Sequence, residues 1–157
     1  MIKLKPMTAK TFEEFKKISQ TEYGTNFSTV ENVALELGIK NAVEQFAKLV
    51  PDGLKTKDQY FFEAFDATCE IQVGYLWLGI QERFGRKVVS INEISLKVPY
   101  RGKGFGKQLM NCIEDEARRV GAPRIRLHVF HHNEIARKLY SSMGFTVSSL
   151  EMFKLVR

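Results

Sequence analysis

The chain is short of cysteine, of long apolar runs and of like-charged blocks, and each shortage removes a class of function. Among its 157 residues, Cys69 and Cys112 are the two cysteines; they stand far apart and match no metal or redox spacing. No apolar stretch approaches the ~18 residues of a membrane span. The opening Met1-Ile2-Lys3-Leu4-Lys5-Pro6 alternates charge with apolar residues and has no signal-peptide core. No repeat, low-complexity tract or long linker interrupts the sequence. A single domain over 1–157, soluble and cytoplasmic, is the expectation.

The formal net charge is +6, which raises the question of nucleic acid. The basic residues are scattered, however, and Glu13, Glu14, Glu114, Asp115 and Glu116 are interleaved with them. No Lys/Arg run with aromatic platforms stands out, so nucleic-acid binding is disfavoured. A basic surface equally suits a small phosphate-bearing ligand.

Hydrophobic periodicity gives the order of elements. Ile2 to Lys5 reads as a strand. Thr8 to Glu22 reads as a helix with Phe12, Phe15 and Ile18 on one face and Thr8 or Thr11 as its cap. Ser28 to Leu49 reads as a second helical region, broken near Gly38. Gln59 to Phe65 and Val73 to Gln81 read as an antiparallel hairpin, followed by a strand from Val88 to Val98. A helix over 104–120, a strand over 124–130, a helix over 133–143 and two terminal strands within 145–156 complete the chain. Strand–helix–strand spacing implies a parallel pair, and the hairpins imply antiparallel ones. The predicted fold class is α/β: a mixed sheet of six or seven strands with helices on both faces.

One turn concentrates chemistry. Val98-Pro99-Tyr100-Arg101-Gly102-Lys103-Gly104-Phe105-Gly106 joins a strand to a helix. The first N–H groups of a helix lack partners and attract anions. Glycines let the backbone approach a phosphate closely. Arg101, Lys103 and Lys107 add positive charge. The Walker pattern fails because Lys107 is followed by Gln108, and the dinucleotide pattern fails because it needs glycine at Lys107.

The arrangement Arg101-x-x-Gly104-x-Gly106 after a strand resembles the cofactor motif of the GNAT superfamily of acetyl-CoA-dependent N-acetyltransferases. A second segment agrees: Asn133-x-x-Ala136-x-x-x-Tyr140-x-x-x-Gly144-Phe145. Its own physics fits a helix, with Asn133 as N-cap, Ile135, Ala136, Leu139 and Met143 as an apolar stripe, and Gly144 as a stop. The resemblance spans most of the chain and is weakest over residues 20–58. It implies a GNAT-like fold in which the fourth and fifth strands splay apart to admit acetyl-CoA. It implies pyrophosphate binding at Arg101, Gly102, Lys103, Gly104, Gly106 and Lys107, backbone pairing with the pantetheine arm at Leu96 and Val98, and a cofactor contact from Asn133. The usual proline of the family is shifted by one place here, to Pro99, which removes an N–H from this stretch.

The resemblance also implies direct acyl transfer to a primary amine, without a protein nucleophile. Tyr140 takes the position of the general acid, and packing of its helix is the alternative role. Glu93, on the fourth strand, is the base candidate, acting directly or through water, because a carboxylate in apolar surroundings has a raised pKa. A strand glutamate paired to a nearby cation is the alternative. Cys112, on the apolar side of its helix, reads as a buried thiol. His128, His131 and His132 match no zinc set, so no metal is expected; His128 lining the cleft is the alternative. Glu22, Glu31, Glu36 and Glu44 lie in the segment expected to meet the amine and are candidates to attract it as a cation; a solvated helix face is the equal alternative. A non-catalytic acyl-CoA sensor is the rival reading, a homodimer is left open, and the identity of the amine is not encoded in any motif.

Overall fold

The computed structural model describes residues 1–156. Strand β1 (Ile2–Pro6) leads into helix α1 (Ala9–Glu31) and helix α2 (Leu35–Leu49). Strands β2 (Gln59–Asp66), β3 (Ile71–Arg83) and β4 (Arg86–Leu96) form a meander, followed by helix α3 (Phe105–Arg119), strand β5 (Arg124–Leu127) and helix α4 (Glu134–Ser142). The five strands lie in the order β1-β2-β3-β4-β5. The first four pair antiparallel, and β4 pairs with β5 in parallel.

Alternation along the meander makes two cores. On one face, Phe61, Tyr75 and Trp77 meet Phe12 and Phe15 of α1 and Phe46 of α2. On the other, Ala64, Val73, Leu76, Leu78, Val89 and Ile91 meet Leu109, Met110, Ile113 and Ala117 of α3. Leu109, Met110 and Ile113 are wholly buried; each such side chain contributes about 1.5–3 kcal/mol of hydrophobic stabilisation. Helices therefore do cover both faces of a mixed sheet, as expected.

Three expectations are corrected, the first being that β5 ends at Leu127 and not at 130. Among the described residues the sheet has five strands, not six or seven, because residues 145–156 form no strand. The first helix continues past Glu22 to Glu31, and the break falls at Asn32–Ala34, not at Gly38. Gly24, Thr25 and Asn26 look like breakers. Yet the hydroxyls of Thr21, Thr25 and Thr29 bond back to the carbonyls of Lys17, Thr21 and Thr25 at 2.7–3.1 Å, and so stay within the helix. Asn32, with φ of 53°, ends it. Thr8 caps it, exchanging hydrogen bonds with Thr11.

Gly24 and Gly38 sit inside helices because α1 and α2 cross there. A Cβ on Gly24 would lie 2.6 Å from Ile39 Cα, and one on Gly38 would lie 2.3 Å from the Gly24 carbonyl oxygen. Among the described residues, no helix is long and apolar enough to cross a membrane.

Candidate active site

Strands β4 and β5 part company midway. Their pairing runs from Val88↔Arg124 to Ile91↔Leu127 and then stops, while β4 continues to Leu96 against β3 alone. At the parting point β4 carries an extra residue: Leu78 faces Ile91 and Trp77 faces Glu93, so Asn92 has no register partner. Such a bulge bends the strand and re-aims the side chains that follow. The Asn92 amide is held by Gln59 Oε1 at 3.1 Å. A gap is left beside the second half of β4, and the start of α3 reaches its far end. There, a Cβ on Gly106 would lie 3.1 Å from Leu139 of α4 and 4.0 Å from Leu96 of β4.

The turn between β4 and α3 presents backbone. Gly102 and Gly104 have φ of 70° and 83°, a conformation that strongly favours glycine. A Cβ on either would meet no protein atom within 4 Å, so the space outside the turn is open. Gly104 caps α3 without a side-chain hydrogen bond. The N–H groups of Phe105, Gly106 and Lys107 have no protein acceptor among the described residues; the first intrahelical bond is Gln108 N–H to the Gly104 carbonyl. This is an anion-receptive helix start.

The remaining cofactor candidates differ in their surroundings. Lys103 and Lys107 are exposed on this turn, and the Lys103 ammonium lies 5.9 Å from the Tyr100 ring centre. The Arg101 Nε donates to the Leu96 carbonyl at 2.9 Å, so this side chain fastens the turn to the strand end. Leu96 is the last residue of β4. Val98 lies beyond it, as the first residue of a short 3-10 turn with Pro99 second, and its carbonyl accepts from Arg101 N–H. The strand thus ends two residues earlier than expected. The Asn133 side chain caps α4 by accepting from Ala136 N–H at 3.2 Å.

Glu93 follows the bulge directly. Its Oε2 accepts a hydrogen bond from the Ser19 hydroxyl of α1. Its Oε1 is buried without a partner. Burial raises its pKa to about 7; the Ser19 bond opposes this rise, and the nearby Glu22 carboxylate adds to it. No cation pairs with it among the described residues. Tyr140 is half-buried, with its ring 5.8 Å from Phe145 and packed against the α3-side core. Its hydroxyl makes no hydrogen bond among the described residues, and burial raises its pKa.

Ser19 is the residue that sequence reasoning missed. It lies on the buried face of α1, where a serine carries no motif. The same helix brings a further group together at the mouth of β5. Tyr23 packs on Phe130 at 5.8 Å, and Asn26 Oδ1 meets His132 Nε2 at 2.8 Å. Glu31 acts on Tyr23, while Glu36 and Glu44 are exposed on α2. His128 touches Phe130 edge-on at 5.0 Å.

Comparison with known proteins agrees with this geometry. The model of the Acetyltransferase (GNAT) family matches residues 29–145. YycN of Bacillus subtilis (strain 168), described as an uncharacterized N-acetyltransferase, is 30% identical over 153 residues, covering 98% of this chain and 97% of its own. YdgE of the same organism, described likewise, is 28% identical over 151 residues, 96% of each chain. A crystal structure of YycN superposes with a TM-score of 0.93 at 29% identity, covering 100% of this chain and 99% of that one. The chain therefore belongs to the GNAT acetyltransferase family and is an acyltransferase.

Proposed function

We propose that residues 1–157 work as one N-acetyltransferase domain that moves acetyl from acetyl-CoA to a primary amine by direct attack. The observation that carries the reading is the parting of β4 from β5 with a partner-free helix start at one end and an uncompensated carboxylate, Glu93, beside the bulge. The residues present fit a CoA diphosphate: the N–H groups of Phe105, Gly106 and Lys107 are free, and the space outside Gly102 and Gly104 is open. Lys103 and Lys107 supply charge, Arg101 keeps the turn against the strand, Leu96 and Val98 offer backbone along the pantetheine arm, and Asn133 holds the start of α4.

Bound acetyl-CoA supplies the activated thioester carbonyl. The chain's own work is proton handling. With a pKa of about 7, Glu93 is partly ionised near neutral pH and accepts a proton from the substrate ammonium, directly or through a water. Ser19 orients the acceptor by holding one oxygen, which leaves the other free. Tyr140 keeps its phenolic proton because burial raises its pKa, and it donates to the departing thiolate. Cys112 is not needed as a nucleophile: burial raises its pKa, and its sulfur lies by the Ile2 carbonyl at 4.0 Å.

An amine panel assayed for thiol release from acetyl-CoA tests this reading. Release with at least one primary amine is expected, together with an acetyl-CoA-dependent rise in melting temperature. At a hundredfold excess over Kd the stabilisation is about 2.7 kcal/mol. A shift with oligonucleotide and none with millimolar acetyl-CoA would overturn it.

Gly104→Val tests the cradle. The left-handed backbone costs an L-residue about 1–2 kcal/mol, so the melting temperature should drop by several degrees. Acetyl-CoA affinity should drop much further, because the added branch occupies the open space outside the turn where the phosphates are proposed to sit. Isothermal titration of the folded variant measures it; unchanged affinity would show that the phosphates bind elsewhere.

A further inference from the structure

The segment after Phe145 behaves unlike the rest of the chain. Val147, Leu150, Met152, Phe153, Leu155 and Val156 are 70–89% exposed. Among the described residues, the last main-chain hydrogen bond is Phe145 N–H to the Tyr140 carbonyl; residues 146–156 make none, and none of their side chains is hydrogen-bonded. Yet the sequence is that of a strand. In extended conformation, Val147, Phe153 and Leu155 share one face, and Leu150, Met152 and Val156 share the other. Apolar residues on both faces are the pattern of a strand buried in a sheet.

A place for such a strand exists in the fold. β5 pairs with β4 along one edge, and its other edge has no strand partner among the described residues. Ile125 and Leu127 are only half-buried there. The tail makes no main-chain bond to this edge within its own chain; Phe145, bonded to Tyr140, is its last anchored residue. Open edges and exposed apolar strands are liabilities that folded proteins cover.

We propose that residues 146–156 form a strand that completes the sheet of a second copy of this chain, docking on its β5 edge while that copy returns its own tail. The donor and the acceptor are both on this chain, so a two-fold pair satisfies both at once and leaves neither over. Charge does not oppose it: the exposed β5 residues Arg124 and Arg126 are basic, and the tail is net neutral, with one acid, Glu151, and one base, Lys154. The YycN crystal structure aligns over the full length of this chain, tail included. The proposal stands apart from the acetylation reading and is tested without activity.

Sedimentation velocity at tens of micromolar should give twice the 18.1 kDa chain mass. Met152→Pro, which removes a strand N–H at a residue without intrachain hydrogen bonds, should halve that mass while circular dichroism stays folded. Deletion of 146–157 should do the same. In the unaltered chain, hydrogen exchange should be slow at 147–155 and at the β5 amides, and β5 protection should fall in the Met152→Pro variant. A full chain that sediments as a monomer overturns the proposal, whether its tail amides exchange freely or are protected by folding back. So does a dimer that persists in both variants, or one whose tail amides exchange as fast as an unfolded peptide.

Discussion

Glu93→Gln should lower turnover by about 10²–10⁴-fold, the range for loss of a positioned base, and should remove the acidic limb of the rate profile. The sign follows from the pKa. Glu93 holds its proton below about 7 and releases it above, so the competent carboxylate appears as pH rises through about 7. Two neighbours move that limb in opposite directions. Ser19→Ala deletes a bond that favours the ionised form, so the limb should move to higher pH. Glu22→Gln deletes a repelling charge, so it should move lower. A stability measurement gives an independent check. The folded chain keeps the Glu93 proton up to about pH 7, whereas the unfolded chain loses it at ordinary carboxylate pH. Folding stability is therefore lost as pH rises across that interval, on the order of 3 kcal/mol. Glutamine does not titrate, so the variant should melt higher than the parent at pH 8 and match it at pH 4. Full turnover with an unmoved profile would assign the proton to water or to another group.

Tyr140→Phe should cut turnover by about ten- to a thousandfold with acetyl-CoA affinity little changed. The hydroxyl it removes has no hydrogen bond among the described residues, while the ring that stays packs against Phe145 and the α3-side core. Helix α4 should therefore keep its place and the melting temperature should hardly move. A packing role alone predicts near-normal turnover. The comparison needs an amine for which the acyl-transfer step limits the rate, since slow product release would mask a loss in chemistry.

The parts of this site visible in sequence are those whose residue type is dictated locally. Gly104 is legible because a left-handed helix cap after a strand favours glycine. Asn133 and Gly144 frame α4 for similarly local reasons. Glu93 is legible as a charged residue within an apolar strand. Its surroundings are not: Ser19 is contributed by α1, far away in the chain, and long-range partners leave no periodic trace. The bulge at Asn92 is hidden too, because Ile91, Asn92, Glu93 and Ile94 are all ordinary strand residues and only the pairing with β3 reveals the extra one. The end of α1 was misplaced because Gly24 has a packing reason, the approach of α2, that local propensity cannot register. The terminal strands illustrate the converse. The pattern within 145–156 is strand-like, but a strand exists only where a neighbouring edge receives it, and within this chain none does.

The glycine-on-glycine crossing of α1 and α2 has a consequence for how such an enzyme can be retuned. Ser19 lies five residues before Gly24 on α1, so a change in the depth of that crossing shifts where the hydroxyl meets Glu93. The outward residues of both helices, including Glu36 and Glu44, can be exchanged without altering the crossing. On the proposed reading that residues 20–58 meet the amine, acceptor preference is adjusted by the outward residues of α2, whereas working pH answers to Glu22 and to any change that lifts one helix off the other. A library built to shift substrate scope should vary the former and leave Glu22, Gly24 and Gly38 unchanged.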